Sequence, residues 1–176
     1  MGILVSHSRT VEARLSATIS LTENSLLINR IMTMTRDELE NHFFVRESFA
    51  VITIRKPGSK FVRIPLLDRC VGECKLMFHD AESTPINGRF RLLMPASQAT
   101  KTVQFVNDIK DRCSILVCQC EWGDSLATAV AQPLSRWLQA SIVVNEDFGT
   151  NRHVTTLVEM AIEWGEIEKS LTAKSE

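Results

Sequence analysis

The sequence lacks any apolar run of the roughly 18 residues that a membrane span needs. It also lacks an excess of either charge. Twenty lysines and arginines stand against 21 aspartates and glutamates, a net charge of −1. Such a chain carries no electrostatic footprint for nucleic acid or an anionic membrane. No cationic segment leads into an apolar stretch and a small-residue cleavage site, so no signal peptide is expected. The opening MGILVS meets the formal N-myristoylation pattern with Gly2 and Ser6, a pattern short enough to arise by chance. Low-complexity segments and clear linkers are absent as well. What is present is an ordinary globular composition, 44% hydrophobic and 23% charged over 176 residues, enough for one domain with a core.

The cysteines exclude two further classes. There are five, Cys70, Cys74, Cys113, Cys118 and Cys120, an odd number in a chain that is not small. A secreted disulfide scaffold does not fit this count, and a reducing cytoplasm does. Cys70 and Cys74 are spaced C-x3-C and Cys118 and Cys120 C-x-C, with His79 nearby in sequence. Neither pair has the C-x2-C spacing of a zinc knuckle, so no metal and no cofactor are expected.

Apolar periodicity gives the elements. Short strands are read at 3–5 and 17–21, and a longer one at 26–34. Thr35 then reads as a helix N-cap with Glu38 as its capping-box partner, opening a helix over TRDELENHF. Residues 49–54 (FAVITI) are β-branched and apolar on both faces, as a buried parallel strand requires. Pro57 and Gly58 mark a turn within residues 55–65. A strand at 74–78 leads into a polar loop. A helix at 96–110 carries Ala99, Val103, Val106 and Ile109 on one face, with Ser97 near its start. A strand at 114–118, a helix at 125–139 and a last helix at 153–171, apolar along Val154, Leu157, Val158, Ala161 and Ile162, complete the pattern. Strands alternating with helices imply an α/β domain with a central, mostly parallel sheet and helices on both faces. The expected division is an N-terminal extension at 1–30, a domain at 31–170 and a flexible tail at 171–176.

The stretch VCQCEWGDSLAT, residues 117–128, carries the chemistry. A strand that runs into a glycine-bearing loop and then a helix gathers backbone N–H groups around one point, and the helix N-terminus adds partial positive charge. A cysteine where that loop begins has its thiolate stabilised and can attack phosphorus. The reaction also needs an arginine to grip two phosphoryl oxygens and an acid to protonate the leaving oxygen.

On these residues the chain resembles the cysteine-dependent protein tyrosine and dual-specificity phosphatases, and most of all a small bacterial and phage branch of them. The branch's loop reads HCEAGISRS where this chain has QCEWGDSLA, residues 119–127. FAVITIRKPGS resembles the branch's early strand and turn, KLMFHDAES its strand and acid loop, and TNRHV at 150–154 the segment before its last helix. The resemblance spans about residues 31–165. It implies a cysteine-phosphatase-like fold with Cys120 as nucleophile and Asp80 as general acid. It further implies a phosphate loop of Glu121, Trp122, Gly123, Asp124, Ser125 and Leu126.

The same alignment exposes the departures. Leu126 stands at the arginine position, Ala127 at that of the hydroxyl that assists the leaving thiolate, and Gln119 at that of the histidine before the cysteine. Asp124 brings a negative charge to the cradle, Trp122 replaces a small residue, and Pro133 falls inside the following helix, where it is expected to remove a hydrogen bond and kink the chain. A transition-state arginine in phosphoryl transfer is worth about 10³–10⁵ in rate, and one oxyanion donor about 10²–10³. The expectation is therefore a phosphatase-like protein without catalysis, binding an unknown protein or phosphorylated ligand through the old active-site face. The first alternative is an active phosphatase in which Arg152 or Arg91 substitutes for the lost arginine, and the second is a thiol-based redox or modification role at Cys120. Trp122 reads either as pocket filler or as an aromatic anchor for a partner. Arg55, Lys56, Lys60 and Arg63 around the Pro-Gly turn read as a solvated loop or, with Arg152 and extended by Arg89 and Arg91, as an anion-binding rim. Arg152 and His153 read as packing near the loop.

Overall fold

The computed structural model describes residues 27–81, 91–121, 125–144 and 149–173. Strands read at 3–5 and 17–21, and loop residues Trp122, Gly123 and Asp124, lie outside them. Five strands form one sheet: β1 (Arg30–Met34), β2 (Phe49–Arg55), β3 (Cys70–Met77), β4 (Ile115–Gln119) and β5 (Ser141–Val143). All neighbours pair in parallel, in the order β3-β2-β4-β1-β5. The three long helices are α1 (Ala96–Ile109), α2 (Ser125–Leu138) and α3 (Arg152–Thr172).

The handedness of parallel crossovers explains the layers. A right-handed connection passes over one face when it moves one way along the sheet and over the other face when it moves back. From β1 to β2 to β3 the chain moves in one direction, and its connections supply Leu39, Val62 and Ile64 to the face carrying Phe49, Val51, Ile115 and Val117. From β3 through α1 to β4, and through α2 to β5, it moves back, and these helices cover the face of Ala50, Ile52, Leu116 and Cys118. α3 joins that second layer through Val154 and Val158. The expected helices on both faces are therefore unequal. All three long ones share one face, and among the described residues the other is covered by the π-helix Glu38–His42 and the loop before β3.

Local chemistry accounts for most boundaries. Thr35 N donates to Glu38 Oε2 at 2.7 Å and Glu38 N donates to Thr35 Oγ1 at 3.1 Å, the reciprocal capping box. Lys56 to Ser59 form a tight turn, closed by Ser59 N donating to Lys56 O at 3.1 Å. Gly58 takes φ +88 there, which a glycine adopts without steric cost. β5 escapes the sequence pattern because it is three residues at an edge with an exposed–half-buried–exposed profile.

Pro133 does not end α2, which runs unbroken from Ser125 to Leu138. A proline at this position leaves the carbonyl of Ala129 without its helical donor. Thr155 Oγ1 of α3 lies 3.4 Å from that carbonyl and donates to it, sharing its proton with Asn151 O at 3.2 Å. The helix thus replaces an internal bond with one from its neighbour. Thr155→Val is expected to lower stability by about 1 kcal/mol, and by less in a Pro133→Ala background, where an N–H again reaches Ala129. Urea denaturation of the four proteins checks this. An equal cost in both backgrounds contradicts it.

Candidate functional site

In open parallel sheets, crevices form beyond the carboxyl ends of strands where adjacent connections leave to opposite faces. Here β2 and β4 are neighbours, and their connections depart to opposite faces. A small pocket opens at that place, lined by Ile54, Arg55 and Lys56 from the end of β2, Asp80 after β3, Cys120 and Glu121 after β4, and Leu126 in α2. Six of these seven are residues that the sequence singles out, Ile54 being the exception. Arg152, the first residue of α3, is exposed and does not line the pocket, and neither does Arg91.

Cys120 is positioned by the sheet. Its N–H donates to Met34 O at 3.2 Å, which continues the β1–β4 ladder one step beyond the strand. Its side chain is 2% exposed, and Leu126, in the first turn of α2, is 4% exposed in the same apolar cluster. The pocket that remains measures about 10 Å³, at the lower bound of what one water needs, ~10–15 Å³.

Asp80 is bound on both oxygens. Ser125 Oγ donates to Oδ2 at 2.5 Å and Asn151 Nδ2 donates to Oδ1 at 2.9 Å. Asn151 is itself 3% exposed and caps α3, accepting from Val154 N at 3.1 Å. One carboxyl therefore joins the segment after β3, the first residue of α2 and the N-terminus of α3. Both of its oxygens accept, whereas a general acid must donate. Glu121 is likewise engaged: Arg36 Nε and Nη2 donate to its Oε2 at 3.1 and 2.9 Å, and Arg36 Nη2 also donates to Lys60 O at 2.5 Å.

The basic side of the pocket belongs to the Pro-Gly turn. The Arg55 guanidinium lies 4.2 Å from the Phe61 ring centroid and donates through Nη1 to Ser59 O. Its Nε is buried with no acceptor among the described residues. Lys56, Lys60 and Arg63 are exposed around it. Arg36 and Asn151 were the residues that sequence reasoning missed. Asn151 had a signal, an N-cap residue directly before an apolar-periodic helix. Arg36 had none, since its partner lies 85 positions away. His153 Nε2 contacts Met94 O at 3.2 Å, a packing role.

The remaining cysteines are free and unsuited to chemistry. Burial pushes the Cys118 thiol far up, with Cys120 and Cys74 adding to it. Burial raises Cys113 from 9.0 to about 11, and raises Cys70 and Cys74 as well. Among the described residues no group of three or more His, Cys, Asp or Glu side chains is arranged to hold a metal ion. Comparison with protein-family models and with curated protein sequences finds no match to this chain.

Two predictions follow from these contacts. Asp80→Ala strips an acceptor from both Ser125 and Asn151, so it is expected to lower stability by about 1.5–3 kcal/mol. Asn151→Ala on top of it is expected to cost only the lost cap to Val154 N, about 1 kcal/mol, so the double mutant falls short of the sum of the singles. Strictly additive costs in a double-mutant cycle contradict the shared bridge. The second concerns pH. An unfolded Cys113 ionises from about 9 and the folded one only near 11. Between those values the folded state binds more protons, so stability is intact below 9 and falls as pH rises through the window. Unfolding free energies from urea titrations are expected to fall less from about pH 8 to 10.5 for Cys113→Ala than for wild type, by roughly 2 kcal/mol. An equal fall contradicts the assignment.

Proposed function

We propose that this chain is a cysteine-phosphatase-like protein that has lost catalysis and binds an acidic or phosphorylated ligand at the rim of its former active site. The observation that carries the reading is Leu126. At the position the resemblance gives to the phosphate-gripping arginine, a leucine is buried in the core beside Cys120, and the pocket between them holds about 10 Å³. A phosphoryl group does not fit that volume. Asp80 and Glu121 line the same pocket and repel a dianion, while the positions of Arg91 and Arg152 outside it weigh against a substitute arginine. Asp80, tied to Ser125 and Asn151, serves as a structural bridge.

Binding is supported by what stays open. Lys56, Lys60 and Arg63 are exposed around the half-buried Arg55. Charge-assisted bonds from such donors are the strong ones for carboxylate and phosphate. No described helix is long and apolar enough to cross a membrane, and five free cysteines suit a reducing cytoplasm.

Hydrolysis of a small aryl phosphate between about pH 5 and 7.5, with Cys120→Ser as the blank, tests the loss of catalysis. Turnover equal to the blank is expected. Leu126→Arg is expected to give none either, because the arginine must enter a packed core site. Cys120-dependent turnover by the wild type overturns the reading.

A further inference from the structure

A second, larger feature lies between α1 and α3, and shares no lining residue with the Cys120 pocket. It is a groove of about 800 Å³ whose floor includes Val103, Leu157, Ala161 and Gly165. Along α3, Leu157, Met160, Trp164, Ile167 and Leu171 recur at spacings of three and four, the a/d repeat by which one helix receives another. Met160 is 47% exposed, Trp164 63% and Ile167 49%. Large apolar side chains at that spacing, left open to water beside a groove, mark an interaction face.

Gly165 points the same way. A glycine inside a helix costs about 1 kcal/mol relative to alanine. A Cβ at this position would come no nearer than 3.9 Å to Val103, so packing does not demand the glycine. Its effect is to leave the groove floor empty.

Charge selects the occupant. From Leu157 to Thr172, α3 carries Glu159, Glu163, Glu166 and Glu168 against Lys169 alone, a net of −3 from four and one. Glu159 is paired with Arg136 and Glu166 with Lys169. Glu163 and Glu168 are exposed, flank the Trp164 row, and have no partner among the described residues. A second copy docked through this face sets acid against acid, and an anionic lipid surface is repelled. We infer that the α1–α3 groove receives a basic amphipathic helix of a partner protein. Its apolar stripe lies over Val103, Gly165 and Trp164, and its lysine or arginine flanks meet Glu163 and Glu168.

The test uses two fluorescently labelled peptides of about 15 residues, the length of α3 that the groove follows. Both carry leucine at the a/d positions. One has lysine on its flanks and the other glutamate. Fluorescence anisotropy with the full chain is expected to show saturable binding of the lysine peptide, and at least tenfold weaker binding of the glutamate peptide. Gly165→Leu sets a side chain into the groove, its Cβ at van der Waals distance from Val103, and favours the helix. It is expected to weaken lysine-peptide binding at least tenfold, as is Glu163→Lys with Glu168→Lys. Equal binding of both peptides, binding unaffected by Gly165→Leu in a folded protein, or no binding overturns the proposal. So does a wild-type dimer that Trp164→Ala dissociates, which makes a second copy the occupant.

Discussion

The Asp80 carboxyl, accepting from Ser125 and Asn151, is the contact on which the site's geometry depends. It lies beyond the end of β3, and its donors open α2 and α3. The helix dipoles favour the arrangement, since a carboxylate is stabilised near helix N-termini. The same bond spends the group. The carboxyl, accepting on both oxygens, holds the first turns of two helices to the segment after β3. Leu126, directly after the Ser125 that Asp80 holds, packs into the core beside Cys120.

The sheet topology makes that convergence unavoidable. Right-handed connections moving first one way and then back leave β2, β3 and β4 side by side with their carboxyl ends together. Any polar residues that follow those strands meet at one point. What they do there is decided by side chains, and here they divide into two halves. An apolar half of Cys120, Ile54 and Leu126 is closed. A basic half around Arg55 and the Pro-Gly turn is open to water.

Much of this was legible in the sequence because it rests on local rules. The capping box at Thr35 and Glu38, the Pro-Gly turn, the apolar-on-both-faces β2 and the amphipathic stripe of α1 are each set by neighbours within a few residues. The gathering of Asp80, Cys120, Arg55 and Lys56 was expected from the resemblance, and the parallel sheet does bring them to one pocket beyond its strand ends. The parts that were not legible depend on distant partners. Arg36 meets Glu121 across 85 positions, and the rescue of the carbonyl freed by Pro133 comes from Thr155 on another helix. The unequal covering of the two faces was hidden for a related reason. The helix expected over TRDELENHF is present as a π-helix at Glu38–His42 with Leu39 buried beneath it, and which face it covers follows from the strand order, not from its own residues.

On the proposed reading, the space beside Cys120, about 10 Å³ among the described residues, does not accept a phosphoryl-like anion. Titration calorimetry with tungstate, a tetrahedral oxyanion, measures that directly on the full-length chain at about pH 6. The account predicts no heat of binding at millimolar anion that Cys120→Ser removes. A micromolar dissociation constant that is lost in Cys120→Ser would contradict it, and would mean that the loop opens to form a working cradle.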